Sequence, residues 1–158
     1  MEFFTLGVYN STKDEYFNKL RDNNIDTFFD IRQRRGVRGA KYKFVNSKRL
    51  QANLTEFGID YYHIKELAPT KEIRNLQKQA DKESGDKKRS RDQLGNVFIE
   101  EYKSRILNEY DLHDLIRDLK EKGANRVALF CVEEKPEACH RSLVTEKLKQ
   151  MGFKITHL

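Results

Sequence analysis

Arg126-Val-Ala-Leu-Phe-Cys131-Val-Glu133-Glu-Lys-Pro136-Glu-Ala-Cys139-His140-Arg141 is the stretch whose reading decides the fold. Residues 127–132 form an unbroken apolar run of the length expected for a strand buried on both faces. Pro136 cannot donate to a ladder and ends it. Beyond Arg141, the apolar residues Leu143, Val144, Leu148 and Met151 are spaced like the buried side of a helix. The stretch reads strand, loop, helix, with Cys139-His140-Arg141 at the helix start.

The same alternation extends in both directions. Residues 3–9, 25–31, 59–64 and 153–158 have strand composition. Thr12-x-x-Glu15 has the form of a capping box ahead of Tyr16, Phe17 and Leu20. Ser47 is placed to cap a helix that carries Leu50 and Leu54 inward and ends at Gly58, and Thr70 to cap a polar one. Two more apolar faces follow, Val97-Ile99-Tyr102-Ile106-Tyr110 and Leu112-Leu115-Ile116-Leu119. Strands separated by helices predict an α/β, three-layer fold: a mostly parallel five-stranded sheet with helices on both faces, Rossmann-like. The length of 158 residues fits one domain, 1–158. The preferred strand order is 3-2-1-4-5, with 2-1-3-4-5 as the rival. Residues 81–92 are charged and nearly free of apolar side chains, and read as an exposed connection or a lid.

The chemistry concentrates at predicted strand ends, where α/β sheets bind ligands. Asp30 and Arg32 share a face at the end of the second strand, and Cys131 and Glu133 do so at the end of the fourth. Taken singly, each has an ordinary reading: an exposed ion pair, a core cysteine, a solvated turn residue. Taken together they suggest a site. Arg32 and Arg141 are candidate anion-binding residues, helped by the unpaired N–H groups of a helix start. Asp30 and Glu133 are acid/base candidates. Cys131 or Cys139 is the candidate nucleophile, with His140 alongside, and a thiol beside Arg141 at a helix start should have a lowered pKa. The phosphatase pattern of an arginine six residues after a cysteine is absent, and so are a Walker loop and Gly-x-Gly-x-x-Gly.

The formal net charge of +6, from 31 basic and 25 acidic residues, leans towards an acidic partner. Residues 33–55 contain no acidic side chain, and Arg34, Arg35, Arg38, Lys41 and Lys43 crowd into their first half. That loop is a candidate nucleic-acid surface, with Tyr42 and Phe44 as stacking groups or as core. No apolar run approaches the ~20 residues of a membrane span, and the N-terminus lacks the basic region of a signal peptide. A cytoplasmic protein with reduced thiols is expected. Cys-x7-Cys-His is not a common zinc spacing, so neither metal nor cofactor is expected.

Cys131-x-Glu133-x-x-Pro136-x-x-Cys139-His140-Arg141 resembles the hallmark of the domain-of-unknown-function family DUF488. Asp30-Ile31-Arg32, Phe44, Gly58-Ile-x-Tyr61 and Gly152-Phe-x-Ile155-x-His157 fit the same layout over nearly the whole chain. The resemblance implies an α/β domain whose activity is not established as a class. Many relatives follow the first-strand glycine with His-Ser. Here Gly7 is followed by Val8-Tyr9-Asn10-Ser11, so any role of that histidine does not carry over.

Overall fold

A computed structural model describes residues 1–85 and 92–158. Its sheet contains β1 (Glu2–Leu6), β2 (Thr27–Asp30), β3 (Asp60–His63), β4 (Arg126–Phe130) and β5 (Lys154–His157). All four pairings are parallel, and the order is β3-β2-β4-β1-β5. The expected α/β class holds, with helices α1 (Lys13–Asp22), α2 (Ser47–Glu56), α3 (Lys71–Ser84), α4 (Asn96–Tyr102), α5 (Leu112–Glu121) and α6 (Arg141–Gln150) around the sheet.

The strand order corrects both expectations, 3-2-1-4-5 and 2-1-3-4-5, because β4 inserts between β2 and β1. The physical reason is burial. From Val127 to Phe130 every side chain of β4 is buried, so this strand needs cover on both faces and both edges. β3 and β5 carry charged and polar residues and no fully buried side chain, which suits them to the edges. The insertion sets Asp30 directly beside Phe130 in register. The loops that leave β2 and β4 are therefore immediate neighbours.

Local rules place several boundaries as expected. Glu15 N–H donates to Thr12 Oγ1 at 3.3 Å, and Thr12 N–H donates back to the Glu15 carboxylate at 2.7 Å, closing the capping box of α1. α2 begins one residue differently, with Asn46 rather than Ser47 at the cap position. The strands are shorter than the apolar runs: β1 stops at Leu6 and β4 at Phe130. α3 runs to Ser84, so the expected loop 81–92 begins as helix. Positions 86–91 of that expected connection or lid lie outside the described residues. Among the described residues no helix is long and apolar enough to cross a membrane.

One face of the sheet is aromatic. Tyr16 of α1 packs edge-on against Phe130 of β4, ring centres 5.6 Å apart, and Phe28 of β2 lies 5.4 Å from the same ring. Tyr42 and Phe44 join this core, 4% and 9% exposed, with Phe44 5.5 Å from Tyr16. The stacking role open to them from the sequence is therefore closed, because neither ring presents a face to solvent. Hydrogen bonding also occupies the Tyr42 hydroxyl, which accepts from Asn10 N–H at 3.0 Å.

Candidate active site

Beyond β4 the chain stays tied to the sheet for two more residues. Cys131 N–H donates to Leu6 O at 3.3 Å, while the N–H groups of Val8 and Tyr9 both reach Val132 O. Glu133 and Glu134 then turn away, and a 3-10 turn, Pro136–Ala138, brings the chain back so that Cys139 N–H meets Pro136 O at 3.0 Å. His140 precedes the first residue of α6. This fold-back is what sets Cys139 and His140 beside Cys131.

The three side chains converge. His140 Nδ1 lies 4.0 Å from Cys131 Sγ and 3.8 Å from Cys139 Sγ, and neither cysteine is in a disulfide. His140 Nε2 lies 3.0 Å from Ile31 O. A carbonyl only accepts, so Nε2 carries the proton and Nδ1 faces the two sulfurs. The Tyr102 ring rests 5.5 Å from the imidazole, and its own hydroxyl donates to Leu67 O at 2.6 Å, fixing both rings. Cys131 Sγ also lies 3.2 Å from Glu133 Oε2, within hydrogen-bonding reach.

Electrostatics follow from this enclosure. Burial pushes the Cys139 thiol up. Hydrogen bonding from Cys131 and the charges of His140 and Arg141 outweigh burial and hold it well below the usual thiol value. Burial opposes charge on His140 too, but the Cys139 sulfur, Glu133 and the Ile31 carbonyl raise it above the ordinary imidazole value.

A cleft of about 480 Å³ opens over this cluster. Cys131, Glu133 and His140 form part of its floor, and Arg32, Arg34, Arg38, Arg74 and Lys78 stand around it against the acidic Asp81 and Glu133. Tyr9, Leu94 and Phe98 supply apolar wall. Cys139 does not reach this space and is 1% exposed. Of the two thiols expected as candidates, the one that meets the cleft is Cys131.

Asp30 and Arg141 lie behind the lining. Asp30 accepts from Arg32 Nε at 2.8 Å, Arg32 Nη2 at 2.6 Å and the Tyr61 hydroxyl at 2.9 Å. Burial and the adjacent Asp30 charge push the Tyr61 phenol up to about 12, so it stays a donor. Asp30 thereby aims Arg32, whose guanidinium stacks 4.5 Å over Phe130 and whose Nη1 has no partner among the described residues. His63, unassigned from sequence, bonds the Arg32 carbonyl at 2.9 Å. Arg141 donates from Nη1 to Glu133 O at 2.5 Å and from Nη2 to Glu134 O at 2.6 Å. It is 1% exposed and absent from the cleft lining. Arg141 holds the loop that carries Glu133 instead of facing the cleft.

Residues 12–148 match the family described as domain of unknown function DUF488. The chain belongs to the DUF488 family. No curated protein and no solved structure matches it. The DUF488 motif residues thus divide by position: Cys131, Glu133 and His140 line the cleft, while Cys139 and Arg141 sit beneath it.

The basic loop divides as well. Arg34 and Arg38 line the cleft. Arg35, Lys41 and Lys43 are exposed outside its lining, with Lys41 5.2 Å from the Tyr42 ring. Sequence reasoning missed Arg74 and Lys78 of α3. Their i, i+4 spacing, one helical face carrying two cations, was the available signal. It also missed Tyr102, whose helical spacing marked it only as core.

Proposed function

We propose that this protein is an enzyme that binds a phosphorylated small molecule in the cleft and acts on it at the floor. The observation that carries this reading is the juxtaposition of five basic side chains with a thiol, a carboxylate and an imidazole in one concave space. Arg32 is the one buried cation of the five, held in place by Asp30 at the cleft lining. A fixed guanidinium there suits a phosphoryl oxygen. Arg34, Arg38, Arg74 and Lys78 extend the positive field outward, which suits a ligand with more than one charge. Glu133 is the acid/base group beside the reacting atom. Asp30 is a positioning residue for Arg32.

A ligand-dependent rise in melting temperature tests the substrate class. Ligand at 100 times its Kd stabilises by about 2.7 kcal/mol, which is roughly 5–10 °C for a chain of this size. Phosphorylated members of a panel of nucleotides and sugar phosphates should produce the rise, and their dephosphorylated counterparts should not. Glu133→Gln should retain the rise for any ligand found and lose turnover. A panel in which nucleosides and nucleotides behave alike would refute the reading.

A second reading, a non-catalytic nucleic-acid-binding protein, is favoured by the exposure of Arg35, Lys41 and Lys43 outside the cleft. It requires a slope near −3 in log K against log salt for single-stranded oligonucleotides, from about four phosphate contacts at roughly −0.7 each. Neutralising Arg34, Arg35 and Arg38 together should flatten that slope. Binding with an unchanged slope would exclude this loop as the contact surface.

A further inference from the structure

We propose that Cys131, Cys139 and His140 form a three-ligand binding site for a thiophilic divalent cation, Zn2+ first among them, with its fourth coordination position open to the cleft. The inference rests on the reading of that cleft as the working site and adds to it a cofactor class.

The donor set comes first. Cys131 Sγ, Cys139 Sγ and His140 Nδ1 all lie within 4.8 Å of one another. In a tetrahedral site with Zn–S near 2.3 Å and Zn–N near 2.0–2.1 Å, sulfur and nitrogen donors stand about 3.5 Å apart. The two sulfur-to-nitrogen distances, 4.0 and 3.8 Å, need to close by only a few tenths of an ångström. Two sulfurs and an imidazole select Zn2+ or another thiophilic ion over Mg2+ or Ca2+, which take oxygen.

The supporting shell is the second argument. A ligating histidine characteristically donates its other N–H to a carbonyl or carboxylate, which fixes tautomer and ring orientation. His140 does this through Nε2 and Ile31 O, and in the neutral ring that leaves the Nδ1 lone pair aimed at the space between the sulfurs. Tyr102 packs on the ring and is itself anchored. Each ligand also sits on constrained backbone: Cys131 on the ladder beyond β4, Cys139 closing a 3-10 turn, His140 at the start of α6.

The open position is the third. Cys131 and His140 line the cleft, and Glu133 Oε2 lies 3.2 Å from Cys131 Sγ on that side. Three protein ligands with one free direction is the arrangement of catalytic zinc, not of closed structural zinc. An ion there would polarise a phosphoryl oxygen or bind a water beside Glu133. Cys131 then serves as a ligand and not as an attacking nucleophile. Sequence spacing argued against zinc because the fold-back at Pro136, which closes the gap between the cysteines, is invisible in a count of residues.

The test uses the full chain, purified under reducing conditions, stripped with chelator and titrated with Co2+. The expected result is one Co2+ per chain, with thiolate-to-cobalt charge-transfer absorption and the visible bands of tetrahedral coordination. Zn2+ should displace it and abolish the spectrum. Cys139→Ser and His140→Asn should each weaken Co2+ binding more than about 100-fold, beyond the loss seen for outer-shell changes. Glu133→Gln should keep the charge-transfer bands, which controls for folding. Reduced wild-type protein that binds Co2+ without charge-transfer bands, or not at all, overturns the site. So does Cys139→Ser protein that retains the full spectrum. Running the phosphorylated-ligand panel on both the metal-free and the Co2+-loaded protein keeps the two readings separable. Ligand binding without cobalt bands refutes only the metal site, and cobalt bands without ligand binding refute only the substrate class.

Discussion

Arg141→Ala should lower the melting temperature by roughly 10 °C, the equivalent of about 3–5 kcal/mol in a chain of this length. The guanidinium is buried and holds two successive carbonyls, Glu133 O and Glu134 O. Truncation leaves both acceptors without their charged donor. A hydrogen bond to a charged group is worth about 1.5–3 kcal/mol, and an unsatisfied buried acceptor costs about 1–3 kcal/mol. The side chain's packing is lost as well. Arg141→Lys should recover less than half, because an ammonium is a point donor and cannot span both carbonyls as the planar fork does. The readout is thermal unfolding of the two variants beside wild type. An Arg141→Ala protein melting within about 2 °C of wild type would mean that the side chain is not a structural clamp, and would return it to the list of anion-binding residues.

Gly7→Ala should cost on the order of 3 kcal/mol, the upper end for overpacking in a well-packed interior. A Cβ at position 7 would stand 2.0 Å from Glu133 O and 2.9 Å from Glu133 C, both backbone atoms that no rotamer change can move. The chain cannot slide away either, because the next two N–H groups, of Val8 and Tyr9, are bonded to Val132 O. The Glu133 carbonyl is also the one Arg141 holds, so the clash displaces the acceptor of that clamp and the loop carrying the cleft carboxylate. Denaturant unfolding is the measurement. Gly36→Ala is the control: its Cβ would meet nothing closer than Asn46 Oδ1 at 3.9 Å, and it should stay within about 0.5 kcal/mol of wild type. Equal midpoints for the two alanine variants would contradict the close approach of the chain at Gly7 to the Glu133 turn.

The α/β class was legible because the periodicity of each segment is local. The unbroken run from Val127 and the capping box at Thr12 need no knowledge of the rest of the chain. Strand order was not legible from connection lengths, since a parallel crossover of almost any length can step one strand or two. The better clue was polarity: β4 has no polar residue from Val127 onward, whereas Asp60-Tyr-Tyr-His63 and Lys154-Ile-Thr-His157 announce edges. At the site, the motif named the right loop but not which side chains face the cleft. Arg141 reads as an anion ligand in sequence because its carbonyl partners are set by the fold-back at Pro136. Asp30 reads as an acid/base group because nothing local shows that its ion pair with Arg32 is buried and that Tyr61 shares the carboxylate. Tyr42 and Phe44, interleaved with lysines, read as stacking groups or as core, and local sequence does not decide between the two. Phe44 is buried against Tyr16 and Phe17, and Tyr42 against Tyr9 and Phe44, partners set by the fold.

The central claim, that the cation-walled cleft over Cys131, Glu133 and His140 is a phosphate-binding site, is tested most directly by calorimetric titration with pyrophosphate. Wild type and the double variant Arg34→Ala/Arg74→Ala are compared at one fixed, low ionic strength. These two side chains enter the cleft from different elements, the loop after β2 and helix α3, and neither belongs to the buried floor. The account predicts stoichiometric binding by wild type. It predicts at least tenfold weaker binding by the double variant, since each charged contact contributes about 1.5–3 kcal/mol and 1.4 kcal/mol is a factor of ten. Absence of binding by wild type, or equal affinity in the two proteins, would contradict it.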